Sequence, residues 1–113
     1  MTKILWVSRH PILEVEVRWL EDRFGEIKID QISSFGPAEE LIEKFKKGGY
    51  DEILVIAPLT VIRKICEAGI HPLWIQAEEA SDSNEADFTY RGKHYRFVEI
   101  RRIRGIKVEL EEV

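Results

Sequence analysis

A serine, an arginine and a histidine stand together at Ser8-Arg9-His10, directly after the apolar run Ile4-Leu5-Trp6-Val7 and directly before Pro11. They supply a hydroxyl, a permanent cation and an imidazole that titrates near neutral pH. Such groups can hold an anion and move a proton. Proline fits the first turn of a helix. The tripeptide is therefore expected between the carboxyl end of a buried strand and the amino end of a helix. In open α/β sheets ligands bind at such places, because free backbone N–H groups and the helix dipole converge there. Each residue also has a plainer role open to it. Ser8 can cap the helix, Arg9 can pair with the acidic stretch at 78–87, and His10 can be an exposed loop imidazole.

Two more strand ends bear on the same region. Ala57-Pro58-Leu59-Thr60 follows the apolar run Ile53-Leu54-Val55-Ile56, and Ser33-Ser34 follows a strand at 27–32. With the strand order 2-1-3-4, strands one and three are neighbours whose connections leave on opposite faces, so Ser8-Arg9-His10 and Ala57–Thr60 would line one crevice. Thr60 doubles as a helix cap. Neither loop has the glycine spacing of a dinucleotide site or a P-loop, and no cofactor is expected. The remaining reactive side chains read as structural. Cys66, between Ile65 and Glu67, is a core residue with nothing beside it to lower its pKa. His71 opens a strand before Pro72. His94 stands in a basic hairpin, where a phosphate contact is an alternative. Glu78-Glu79 has no histidine at ligand spacing, so no metal site is expected.

The elements that must position these residues follow from hydrophobic period and punctuation. A first strand is expected at about 3–8. The segment 11–24 fits two periods, since Val15, Val17 and Trp19 alternate like a strand while Leu13, Val17, Leu20 and Phe24 keep helical spacing. Gly25 as a stop and the need for a crossover decide for a helix. That helix carries a second apolar face, Ile12, Val15 and Trp19, which needs a partner: the C-terminal strands or another subunit. A strand at 27–32 and a helix between Gly36-Pro37 and Gly48-Gly49 come next. A central parallel strand at about 52–57, a helix at 59–68 and a short strand at 73–75 complete this part. Residues 78–86 read as a polar loop. Asp87–Arg91 and His94–Arg102 flank a Gly92-Lys93 turn as an antiparallel hairpin, and Ile106, Val108 and Leu110 alternate as a final strand after Arg104-Gly105. The expected fold is a single α/β domain over 1–113. Its core is a Rossmann-like or flavodoxin-like parallel sheet of four strands with three helices, and a basic antiparallel β-extension follows at 87–113.

Composition limits what such a domain can be. Its 113 residues suffice for one domain, and no apolar run approaches the length of a membrane span or a signal peptide. One cysteine excludes an internal disulfide and suits a reducing cytoplasm. The scarcity of amides (Gln31, Gln76 and Asn84 only) beside abundant Glu, Lys, Arg and Ile leans toward thermophile usage. The net charge of −4 hides an asymmetry, because residues 91–107 hold seven bases against Glu99 alone, which leaves the rest of the chain at −10. Blocks of this kind either steer an anionic ligand or pair with each other as solvated faces.

The run Val7-Ser8-Arg9-His10-Pro11, with Trp19 nine positions after His10, resembles the start of small standalone CRISPR-associated proteins of the ring-nuclease type. Ile56-Ala57-Pro58-Leu59-Thr60, followed by Ile65-Cys66-Glu67-Ala68-Gly69, is similar to that group's strand, turn and helix. The likeness covers about residues 4–76. Ser8 stands where threonine is commoner, the Pro-Leu order is inverted, and 87–113 has no counterpart. The resemblance implies a Rossmann-like homodimer that binds cyclic oligoadenylate across a two-fold axis and degrades it without metal. His10 and Arg9 would then be catalytic, with Ser8, Ser33, Ser34, Pro58, Leu59 and Thr60 around the ligand. The rival reading is a non-catalytic dimeric interaction module. In it the patch Arg91, Lys93, Arg96, Arg101 and Arg102, interleaved with Tyr90, Tyr95 and Phe97, binds nucleic acid or an acidic partner.

Overall fold

The computed structural model describes residues Met1–Val113. Strands are β1 (Thr2–Val7), β2 (Ile27–Ile32), β3 (Glu52–Val55), β4 (Leu73–Glu79), β5 (Phe88–Tyr90) and β6 (Lys93–Arg102). Helices are α1 (Glu14–Phe24), α2 (Ala38–Lys47) and α3 (Leu59–Glu67). All six strands form one mixed sheet in the order β2-β1-β3-β4-β6-β5. The first four run parallel, and β6 pairs antiparallel with both β4 and β5. The expected four-stranded sheet with an appended hairpin is thus corrected to a six-stranded mixed sheet, with the hairpin as its continuation.

Alternation along the central strands assigns the helices to two faces. Leu5, Val7, Ile53 and Val55 point one way and pack with Leu41, Ile62 and Ile65 of α2 and α3. Ile4, Trp6 and Leu54 point the other way and pack with Leu20 of α1 and with Leu73, Phe97 and Ile100. β1 and β3 are covered on both sides, which is why their sequences read as unbroken apolar runs. The second face of α1 is closed within the chain, since Ile12 and Trp19 join the cluster that contains Phe97 and Ile100. Only Val15, 37% exposed, keeps the character of an unpartnered apolar residue.

A bulge makes that closure work. Gln76 pairs with Glu99 but Ala77 with Phe97, so β6 carries one extra residue at Val98. Phe97 and Ile100 are three apart and would face opposite sides of a regular strand. The inserted residue turns both into the α1-side core, while Val98 itself is exposed. The bulge also leaves the Phe97 N–H beyond the end of β5, where the Asp87 carboxylate accepts it at 2.7 Å.

Several boundaries differ from expectation, each for a local reason. α1 starts at Glu14, not Pro11, because the Glu16 carboxylate reaches back to accept the Leu13 N–H at 2.8 Å and fixes the first turn there. β4 runs on to Glu79, through part of the supposed polar loop, because β6 pairs with its whole length. The expected strand at 106–110 does not form. The chain leaves the sheet at Ile103, whose N–H donates to the Pro72 carbonyl at 2.8 Å, and the alternating residues beyond find no backbone to pair with. No helix is long and apolar enough to cross a membrane.

Candidate functional site

At the carboxyl ends of β1, β2 and β3 lies a cleft of about 340 Å³ lined by Val7, Ser8, Arg9, His10, Ser33, Ser34, Phe35, Ile56, Ala57 and Pro58. Three chain segments meet there because β1 sits between β2 and β3. The loop after β1 is held on both sides: Ser8 N–H donates to the Ile32 carbonyl at 3.1 Å and Ile56 N–H to the Val7 carbonyl at 3.0 Å. Ser8 is buried, and its Oγ accepts the His10 N–H at 3.0 Å, a turn of the loop onto itself. Gln31 Nε2 donates to the Ser8 carbonyl at 3.0 Å and to the His10 carbonyl at 2.8 Å. One amide group thereby clamps both ends of the tripeptide. Sequence reasoning noted Gln31 only as a scarce amide; its place on β2, beside Trp6 in register, becomes visible only with the pairing.

With the backbone so fixed, the side chains of Arg9 and His10 stand exposed at the cleft. Arg9 makes no ion pair, so the acidic stretch at 78–87 does not neutralise it. The lining contains a guanidinium, an imidazole and three serine hydroxyls, and no carboxylate. Such a donor set attracts an anion and offers a divalent cation little. No group of three His, Cys, Asp or Glu side chains elsewhere has a metal-holding arrangement.

The predicted residues fall into two sets. Ser8, Arg9, His10, Ser33, Ser34 and Pro58 come together in the cleft. Leu59 and Thr60 do not line it. Pro58 caps α3, and Thr60 lies inside the helix with its side chain unused as a cap. Their part is confined to backbone, since the amides of Leu59 and Thr60 donate to no backbone acceptor just past the cleft wall. α1 offers no matching positive end. Its first turn carries Glu14 and Glu16 and faces Asp87 rather than the cleft.

The basic hairpin does not form one patch. Arg96 is engaged by Glu78, Arg101 by Glu99 at 2.5 Å, and Arg102 by Glu52 in a two-pronged pair at 2.7 and 2.8 Å. Arg101 and Arg102 also lie at the end of β6 that pairs with the start of β4, roughly 30 Å along the strand from Lys93. Arg91 and Lys93 make no ion pair and sit at the tip on the cleft side of the sheet. There an unforeseen contact appears. Tyr90 meets His10 edge-to-face, ring centroids 5.8 Å apart and planes at 89°, and the Arg91 guanidinium lies over the Tyr90 ring at 5.3 Å. On a flat sheet β1 and β5 would be about 19 Å apart. The curl of the sheet and the reach of loop 8–13 close that distance.

The other reactive groups stay structural. Burial, with help from Glu67, pushes the Cys66 thiol above its usual range, away from nucleophilic reactivity. His94 Nδ1 lies 2.9 Å from Thr89 Oγ1, and His71 offers its carbonyl to Arg102. Glu16 is the one buried carboxylate. Desolvation, assisted by nearby Asp87, raises its pKa against the opposing hydrogen bond from Leu13.

No protein-family model, curated protein or solved structure matches this chain.

Proposed function

We propose that the chain binds a phosphate-bearing nucleotide ligand at the Ser8-Arg9-His10 cleft and, as a ring nuclease, cleaves a cyclic oligoadenylate there without metal. The observation that carries this reading is the convergence of Arg9, His10 and the serine hydroxyls in one carboxylate-free cleft with a pre-ordered loop. The chemistry asks little more of a protein. The ribose 2′-oxygen attacks the adjacent phosphorus, an O2′–P bond forms, and the P–O5′ bond breaks. The 2′-hydroxyl proton leaves to a base and the 5′-oxygen receives one from an acid, giving a linear product ending in a 2′,3′-cyclic phosphate. His10 takes one of these proton roles, and Arg9 neutralises the charge gathering on the phosphoryl oxygens. A volume of about 340 Å³ is at the low end for small-molecule sites. One chain then holds a single unit of the ring, and the ring spans the clefts of two copies as a homodimer.

The deciding experiment is incubation with cyclic oligoadenylates in the presence of EDTA. Cleavage is expected to survive chelation, and His10→Ala to slow it by about 10²-fold or more. Arg9→Ala is expected to weaken binding and flatten its salt dependence. Full activity in both variants would overturn the assignment. The rival interaction module predicts instead that binding of nucleic acid is lost on substitution of Arg96, Arg101 and Arg102 and is indifferent to His10. The ion pairs already holding those three arginines weigh against it.

A further inference from the structure

We propose that the hairpin tip Tyr90-Arg91 is a nucleobase platform that extends the phosphate cleft, so that the two together recognise a nucleotide rather than a bare phosphate. This rests on the reading of the cleft as a phosphate site. The starting observation is strain. The turn between β5 and β6 has φ +51° at Arg91 and +77° at Gly92, the pairing of a two-residue type I′ hairpin. Glycine, asparagine or aspartate fit the first of these positions with little penalty; arginine does not. Arg91 is the single non-glycine residue of the chain in the left-handed region. Strain at an exposed tip points to a use for the side chain.

What that side chain does is cover an aromatic ring. Arg91 makes no ion pair, and its guanidinium lies on the ring of Tyr90, itself 45% exposed. Tyr90 in turn touches His10, which lines the cleft. From the cleft outward the order is therefore imidazole, phenol ring, guanidinium, with no carboxylate in the sequence. A cation already lies over this ring; a purine, with its larger π-face, can use the same aromatic surface. A nucleotide whose phosphate rests between Arg9 and the serines would pass its base over His10 onto Tyr90.

The test is titration calorimetry of the full chain with three probes: inorganic phosphate, ribose 5-phosphate and adenosine 5′-monophosphate. Wild type is expected to bind adenosine 5′-monophosphate roughly 5- to 100-fold tighter than ribose 5-phosphate, the value of one base stack. Tyr90→Ala should abolish that difference and leave ribose 5-phosphate binding unchanged, whereas Tyr90→Phe should keep it. Arg91→Gly relieves the strained turn. It should raise the thermal midpoint by about 4 °C while weakening adenosine 5′-monophosphate alone. Equal affinity of wild type for the two sugar phosphates would overturn the platform but leave the phosphate cleft standing. An equal loss of both in Tyr90→Ala would also overturn it, as a structural effect. Failure of all three probes to bind, or binding indifferent to Arg9→Ala, would overturn the cleft reading and the platform with it.

Discussion

At the scale of single residues, one side chain outside the reactive tripeptide sets its shape. Gln31 donates to the Ser8 and His10 carbonyls and so fixes the loop without touching its reactive atoms. Gln31→Leu is expected to cost only about 1 kcal/mol of stability, because the freed carbonyls reach water. It should nonetheless speed hydrogen exchange of the His10 amide and weaken ligand binding, read by amide exchange and by calorimetry. Glu16 makes a pH prediction. Its folded-state pKa is raised, so the native chain holds the proton more tightly than the unfolded chain. Stability from this group is full in acid and is lost as pH rises from the ordinary carboxylate range through the raised value. Glu16→Gln keeps an oxygen for the Leu13 N–H and removes the buried charge beside Asp87. It is expected to gain about 1 kcal/mol at pH 7 and to flatten the stability profile between pH 4 and 7, measured by urea unfolding.

At the scale of elements, β6 decides most. Its bulge brings Phe97 and Ile100 onto the same face and closes α1 against the sheet. Deleting Val98 would restore strict alternation and leave Phe97 and Ile100 two positions apart, so both should stay on the α1 side without the bulge. The expected change in stability is therefore small, within about 1 kcal/mol by urea unfolding, with Trp19 no more exposed to fluorescence quenchers than before. Val98→Ala, which keeps the extra residue, should also cost little because that side chain is exposed. The curl of the sheet toward its β5 edge carries Tyr90 to His10.

For the molecule as a whole, the charge has been sorted by folding. Of the seven bases in 91–107, Arg96, Arg101 and Arg102 are spent on carboxylates, while Arg91 and Lys93 remain unpaired at the cleft end with Arg9. In a chain of net charge −4, three bases without ion-pair partners thus lie within reach of an anion held in the cleft. If a ring spans two clefts, a non-cleavable cyclic oligoadenylate analogue should sediment with two chains per ring. A stoichiometry of one chain per ring would sink the shared-ring arrangement. Because Ile12 and Trp19 are already packed in the chain's own core, Trp19→Ala should lower stability without changing that stoichiometry.

The local signals in the sequence were enough to determine the three helices, all six strands (β4 only in its first half) and the strand order β2-β1-β3-β4, and to gather Ser8, Arg9, His10, Ser33, Ser34 and Pro58 at one end of the sheet. Hydrophobic period and glycine stops report what each segment buries, and a run such as Ile53–Val55 can be buried on both sides only near the middle. What period cannot report is which backbone lies alongside. Ile106, Val108 and Leu110 alternate as well as any strand, yet no neighbouring edge takes them up, while β4 lengthens because β6 does. The clamp by Gln31, the bulge at Val98 and the meeting of His10 with Tyr90 join residues 21 or more positions apart, or break the very alternation that sequence reading relies on. Only the pairing and curl of the sheet decide those, because they depend on register and twist rather than on any residue's own preference.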